Sequence, residues 1–192
     1  QKKDMTSTYE YHRYQLQYLG YHFKGKRWVL KAPVHLLFLK YLFEVYPDAQ
    51  IVQMHRDPLK AIPSMSSLVV ISRWIHSDHV SEIKTAEQLL ELMSRNINQS
   101  IAYRDAQASG QILDISFSEL VKDTMPTVNK IYNWLGVDFT HETKISMSNW
   151  LGVSKLKQES EPHQYSLDQF GLNEIRIQDC FARYYERYAD YL

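Results

Sequence analysis

Apolar positions along the chain follow two rhythms. Short, largely apolar runs at Trp28 to Leu30, Ile51 to Met54 and Ile112 to Phe117 predict strands, the first two buried. The first stops at Lys31 and Pro33, the second at His55, Arg56, Asp57 and Pro58. Other stretches repeat at helical spacing. Leu36, Leu37, Leu39, Leu42, Phe43 and Val45 predict one helix, closed by Tyr46, Pro47 and Asp48. Leu89, Leu90, Leu92, Met93, Ile97 and Ile101 predict another from about Thr85 to Ala108, broken by Gly110. A strand, a helix and a strand joined by a right-handed crossover make a parallel sheet. Ligands collect at the carboxyl ends of such strands, so Lys31 and Arg56 are expected on one rim.

The remaining helices follow from similar signals. Ser7 to Leu19 predicts one, with Tyr11, Tyr14, Leu16, Tyr18 and Leu19 available for packing and Tyr21 to Lys26 as its loop. Pro126 opens a helix that Gly136 stops after Leu135, and Thr140 caps another through Leu151, with Gly152 as its C-cap. Ser154 to Tyr165 is the most polar segment and is expected to be a mobile loop. Asn173 starts the final helix, where Phe181, Tyr184, Tyr185, Tyr188 and Tyr191 recur as a packing face.

The candidate chemistry begins at Asp57, an N-cap followed by Pro58 at the first helical position, which predicts a helix from Leu59 to about Ser72. Free N–H groups at its start favour an anion. Arg56 adds a planar fork able to hold a phosphate through two hydrogen bonds. Ser64, eight positions on, brings a hydroxyl to the same group if the helix folds back past it, and Pro63 is expected to bend that helix. Arg56 also has a plainer alternative, a surface ion pair with Asp57.

These residues carry a resemblance. Lys31-Ala32-Pro33-Val34-His35, then Pro47-Asp48-Ala49, then His55-Arg56-Asp57-Pro58 with Ser64, resemble the sulfotransferase superfamily, in its branch with an "LK-P-H … P-A … HRDP … S" signature. Asp114 to Val121 followed by Ile131-Tyr132-Asn133-Trp134-Leu135-Gly136 is similar to a downstream family segment, and His163-Gln164-Tyr165-Ser166 with Phe170-Gly171-Leu172 to its C-terminal element. The likeness runs from about residue 8 to 190. It implies a P-loop-NTPase-like α/β fold, an open parallel sheet flanked by helices, helix-rich and incomplete at the N-terminus. It implies 3′-phosphoadenosine-5′-phosphosulfate as co-substrate, no metal, and a hydroxyl or amine of a small-molecule or glycan acceptor.

Residue by residue, the resemblance implies that Arg56 and Ser64 bind the donor's 3′-phosphate and that Lys31 steadies the transferring sulfuryl group. His35 becomes the candidate general base, although it follows the lysine by four positions where relatives have two. Phe117 stands where many relatives carry a tyrosine beside the nucleotide, keeping the stacking face and losing the hydroxyl. Lys155, Lys157 and His163 fall where relatives supply a basic loop to the 3′-phosphate, without the usual Arg-Lys-Gly triplet.

Relatives also place a Gly/Ser/Thr loop after their first strand to cradle the 5′-phosphosulfate. The six glycines here, at 20, 25, 110, 136, 152 and 171, never cluster. The chain is therefore expected to be the C-terminal half to two thirds of such an enzyme, starting after that loop and possessing an incomplete site. A start at Gln1 fits a fragment or a processed product.

At 192 residues and 44% hydrophobic, the chain suffices for a single domain with one core. Its 22 basic and 22 acidic residues cancel, which removes the global field expected of a nucleic-acid or anionic-membrane binder. The single cysteine, Cys180, has no internal partner for a disulfide and is expected in the core. No run reaches the roughly 18 apolar residues of a membrane span and the start is unlike a signal peptide, which favours a cytoplasmic location. His76-Ser77-Asp78-His79 approaches a metal-ligand cluster without a second half elsewhere. Two other function classes remain open: a small-molecule kinase of the P-loop group, and a noncatalytic nucleotide-binding domain of the same fold.

Overall fold

Proline and glycine punctuate the fold seen in the computed structural model, which describes residues 4–23, 25, 27–107, 110–157 and 166–192, with backbone only at 154–157. The first elements are α1 (Thr6–His22), α2 (Leu39–Val45), β1 (Ile51–His55), α3 (Pro58–Trp74) and α4 (Glu82–Ala106). Then come β2 (Ile112–Ser116), α5 (Phe117–Lys122), α6 (Thr124–Leu135), α7 (His141–Lys157), α8 (Glu174–Cys180) and α9 (Ala182–Tyr188). The result is a helix-rich α/β chain with a parallel sheet, as expected. It divides into two compact units, Gln1–Gln50 with Arg95–Gln111, and Ile51–Ser94 with Ile112–Leu192.

In the first unit α1 packs on α2. Tyr9 is the buried residue of α1, while Leu39, Leu42 and Val45 are the buried stripe of α2. Phe43 stacks on Tyr103 at a 6.3 Å ring separation. The Gln111 amide donates to the carbonyls of Pro47 and Ala49 at 2.7 and 3.0 Å, which holds the turn ahead of β1. Three expectations fail here. Trp28 to Leu30 is not a strand: its backbone joins no ladder among the described residues, and Val29 is 90% exposed. An apolar triplet becomes a strand only when a neighbour pairs its N–H and C=O groups. The helix expected over Leu36 to Val45 is broken at Phe38, with a 3-10 turn over Pro33–Leu37 before it, opened by the fixed φ of Pro33. Tyr11, Tyr14 and Tyr18 point outward instead of packing.

In the second unit β1 and β2 pair in parallel, from Ile51 opposite Ile112 to His55 opposite Ser116. Alternation puts Gln53, His55, Asp114 and Ser116 on one face, and Val52, Met54, Leu113 and Ile115 on the other. The polar face is the more buried one, and Met54 is exposed, so β1 is not the doubly buried strand its apolar run predicts. Ile62, Val70, Leu90, Phe170, Ile177 and Tyr188 belong to this unit's core. Cys180 is half-buried in α8.

Local signals set most boundaries. Gly136 ends α6 with φ at 64°, where its neighbour Val137 N–H closes back on the Tyr132 carbonyl at 3.0 Å. Asn173 caps α8 by accepting from the N–H groups of Ile175 and Arg176. Gly171, between buried Phe170 and Leu172, has φ at 60°, and a β carbon there would sit 3.2 Å from Ile83 Cγ2. Phe117 starts α5 instead of ending β2, because Ser116 caps that helix. Gly152 is not a C-cap: α7 continues through it to Lys157, at the cost of about 1 kcal/mol relative to alanine. The polar segment expected as a mobile loop contributes its first four residues to α7, and residues 158–165 lie outside the described ones. Among the described residues no helix is long and apolar enough to cross a membrane.

Candidate functional site

The register of the sheet builds the site. Because His55 stands opposite Ser116, the next residue of each strand, Arg56 and Phe117, leaves the sheet at the same carboxyl rim. There the Arg56 guanidinium lies 4.9 Å from the centre of the Phe117 ring. Such a cation–π contact is worth about 0.5–1 kcal/mol at an exposed position.

Asp57 and Pro58 open α3 as the sequence predicts. The Asp57 carboxylate accepts from Leu59 N–H at 2.9 Å, and Pro58 is the first helical residue. A second donor, the Tyr185 hydroxyl of α9, reaches the same Asp57 oxygen at 2.8 Å. No ion pair joins Arg56 to Asp57 among the described residues, so the plain surface-pair alternative is not what forms. The carboxylate serves the cap, and the guanidinium is left to the rim. Ser64 sits half-buried in α3, six residues past Pro58 and thus roughly 9 Å along the helix axis.

Beneath Arg56 lies a network that the sequence motifs do not announce. The His55 side chain is fully buried, with Nε2 at 2.8 Å from Asp114 Oδ1 and Nδ1 at 2.9 Å from the Tyr184 hydroxyl. A carboxylate only accepts, so Nε2–H donates to Asp114, and a neutral imidazole then takes the Tyr184 O–H at Nδ1. The rings of Tyr184, Tyr188 and Tyr191 surround the imidazole at 5.6, 4.1 and 5.3 Å. Burial pushes the Tyr184 phenol well up, with the Arg56 backbone opposing. Burial does the same to Tyr185, helped by its bond to Asp57. Both hydroxyls therefore stay protonated and remain donors. The aromatic C-terminal stripe is a packing face, as expected, and what it packs on is the strand end that carries Arg56.

Two candidates, Lys31 and His35, belong to the first unit. Lys31 is exposed in an extended segment. The strand that would have carried it to a shared rim with Arg56 does not form, so that expectation loses its basis. His35 is half-buried in the 3-10 turn, its Nδ1 at 2.9 Å from the Tyr9 hydroxyl. Alongside, His12 Nδ1 is 2.7 Å from the Tyr46 hydroxyl, and the His12 and His35 rings are 6.4 Å apart. Burial lowers the His35 pKa, and His12 lowers it further. Burial raises the Tyr9 phenol to about 12. His35 is thus held neutral at pH 7. In the tautomer whose Nδ1–H donates to the Tyr9 oxygen, Nε2 keeps a lone pair that can accept a proton.

Phe117 joins Arg56; Lys31 and His35 belong to the other unit. Lys155 and Lys157 are in the last turn of α7, where only the backbone is described, and His163 lies outside the described residues. No group of three or more His, Cys, Asp or Glu suited to a metal occurs among the described residues.

The sulfotransferase family model matches residues 1–141. The chain belongs to the sulfotransferase family. Its fold is similar to the crystal structure of sulfotransferase STF9 from Mycobacterium avium, with a TM-score of 0.85, 28% identity, and coverage of 97% of this chain and 47% of that one. It is also similar to sulfotransferase STF1 from Mycobacterium tuberculosis H37Rv, with a TM-score of 0.76, 30% identity, and coverage of 95% of this chain and 46% of that one. This sulfotransferase chain therefore spans about half the length of both. No curated protein matches it.

Proposed function

We propose that this chain supplies the 3′-phosphate grip of a sulfotransferase that uses 3′-phosphoadenosine-5′-phosphosulfate, and that the complete reaction moves the sulfuryl group to a hydroxyl or amine of a small-molecule or glycan acceptor. One observation carries the proposal: a guanidinium 4.9 Å from the centre of an aromatic ring at the carboxyl rim of a parallel sheet, beside the capped start of a 17-residue helix. Arg56 offers two parallel N–H donors to a phosphate. Ser64 adds a hydroxyl from α3, and Phe117 an aromatic face for the adenine. Lys155, Lys157 and His163 are proposed as further cations for the same phosphate.

For transfer, a base must take the acceptor proton while cations absorb charge growing on the donor phosphate and the sulfuryl oxygens. His35, neutral at pH 7 and backed by Tyr9, suits the first task, and Lys31 is assigned the second on the family resemblance alone. Equilibrium titration with adenosine 3′,5′-bisphosphate tests the grip. Ser64→Ala and Phe117→Ala are each expected to weaken binding about 3- to 10-fold. His35→Ala should spare binding and cut transfer by about 100-fold or more where turnover is measured. Unchanged binding in both grip variants, or undiminished transfer without His35, contradicts the assignment.

A further inference from the structure

A cation-lined cleft away from Arg56 lies in the same unit. Its volume is about 660 Å³, within the range of about 300–1,000 Å³ usual for small-molecule sites. It is formed by the end of α3, the connecting loop and the start of α4. Arg73, His76, His79 and Lys84 line it together with the hydroxyls of Ser81 and Thr85, and no Asp or Glu is among its lining residues.

The arginine is held in place. Its two terminal nitrogens donate to Thr85 Oγ1 at 2.8 Å and to Gln88 Oε1 at 3.0 Å, which fixes the guanidinium plane against α4 and leaves three further N–H donors. Both partners are neutral, so the charge is retained. Neither Arg73 nor Lys84 forms an ion pair with a carboxylate among the described residues. His76 Nδ1–H donates to the Ser72 carbonyl at 3.0 Å, which orients that ring at the cleft wall. A neutral chain that gathers Arg73, Lys84 and two histidines around one concavity, with no carboxylate among the lining residues, presents a local anion site.

We propose that this cleft binds a small molecule through a phosphate or sulfate group, with Arg73 as the planar clamp and Lys84 as the second charge. It is a separate site from the one at Arg56. Arg73 comes 15 residues after Pro58 on the same helix, roughly 22 Å along its axis, so one phosphate cannot bridge both. The run His76-Ser77-Asp78-His79 thereby gains a role as part of an anion cleft.

The test is a titration of the full chain with inorganic phosphate and, separately, glucose 6-phosphate and glucose 6-sulfate at low ionic strength. The readouts are the imidazole proton resonances of His76 and His79 and the fluorescence of the neighbouring Trp74. Saturable shifts of both histidines are expected. Arg73→Ala should weaken binding about tenfold or more, Lys84→Ala several-fold, and Arg56→Ala not at all. Lys84 is exposed at the start of α4, so its variant keeps the test decisive if Arg73→Ala fails to fold. Response to the sugar esters well above that to inorganic phosphate marks an organic ligand, and equal response a free anion; both support the site. Histidine resonances that stay fixed, or affinity unchanged in Lys84→Ala, overturn it. Adenosine 3′,5′-bisphosphate binding, read through Arg56→Ala, stands or falls independently.

Discussion

Replacing His55 probes the link between the C-terminal aromatic helix and the strand end that carries Arg56. The imidazole is fully buried, bonded through both nitrogens, and enclosed by Tyr184, Tyr188 and Tyr191. His55→Ala removes a ring from this enclosure, which costs about 2–4 kcal/mol in lost burial and residual cavity. It also removes one hydrogen-bond partner from the Tyr184 hydroxyl and one from Asp114, each loss worth about 1 kcal/mol. Part of that cavity admits water beside the 15%-exposed Asp114 side chain, so a total of about 3–5 kcal/mol is expected. His55→Phe keeps the ring and loses only the polar partners, for about 2–3 kcal/mol. The difference between the two variants isolates packing from hydrogen bonding. Urea denaturation followed by circular dichroism measures both, with unchanged m-values required for the comparison. Since small domains are stable by only about 5–15 kcal/mol, His55→Ala should leave a marginal protein. A cost below about 1 kcal/mol for His55→Ala would refute the idea that this network anchors the strand end beneath Arg56.

Tyr185→Phe removes the hydroxyl that shares the Asp57 cap, and should lower stability by about 1 kcal/mol while weakening bisphosphate binding; denaturation and titration on one preparation check both. Gly171→Ala forces an L-residue into φ 60° and presses a β carbon against Ile83, so a loss of about 1–2 kcal/mol is expected by thermal or urea unfolding. The lowered pKa of His35 has a signed consequence. The folded state resists the proton more than the unfolded chain does, so stability is full above about pH 6.5 and declines as pH falls through the depressed folded value. His35→Gln should flatten that part of the pH–stability curve, and an unchanged slope would contradict it.

The parts of the fold that the sequence made legible are those set by neighbours in the chain. Asp57 and Pro58 open α3, Gly136 closes α6 and Asn173 opens α8, each through a bond to a residue no more than a few positions away. What failed depended either on a pairing that the residues alone do not supply or on a competing signal close by. Trp28 to Leu30 has strand-like side chains and no strand beside it among the described residues. Gly152 carries a stop signal that α7 overrides, and Phe117 an apolar side chain that Ser116 diverts into a helix. The site divides the same way. Arg56 and its helix start were readable locally, whereas His55 meets Asp114 and Tyr184 across 59 and 129 positions, and nothing in a histidine at a strand end announces either partner. One signal was available: Asp114 and His55 are both polar in otherwise apolar runs, at positions that a parallel register puts on one face.

The central claim is that Arg56 recognises a ribose 3′-phosphate, and the most direct measurement is a two-by-two calorimetric titration. The chain and its Arg56→Ala variant are each titrated with adenosine 3′,5′-bisphosphate and with adenosine 5′-monophosphate, which lacks only the 3′-phosphate. The bisphosphate should bind the unaltered chain about 10- to 100-fold more tightly than the monophosphate, and that preference should nearly vanish in Arg56→Ala, a coupling of about 1.5–3 kcal/mol. A 3′-phosphate preference that survives intact without the Arg56 guanidinium would contradict the account.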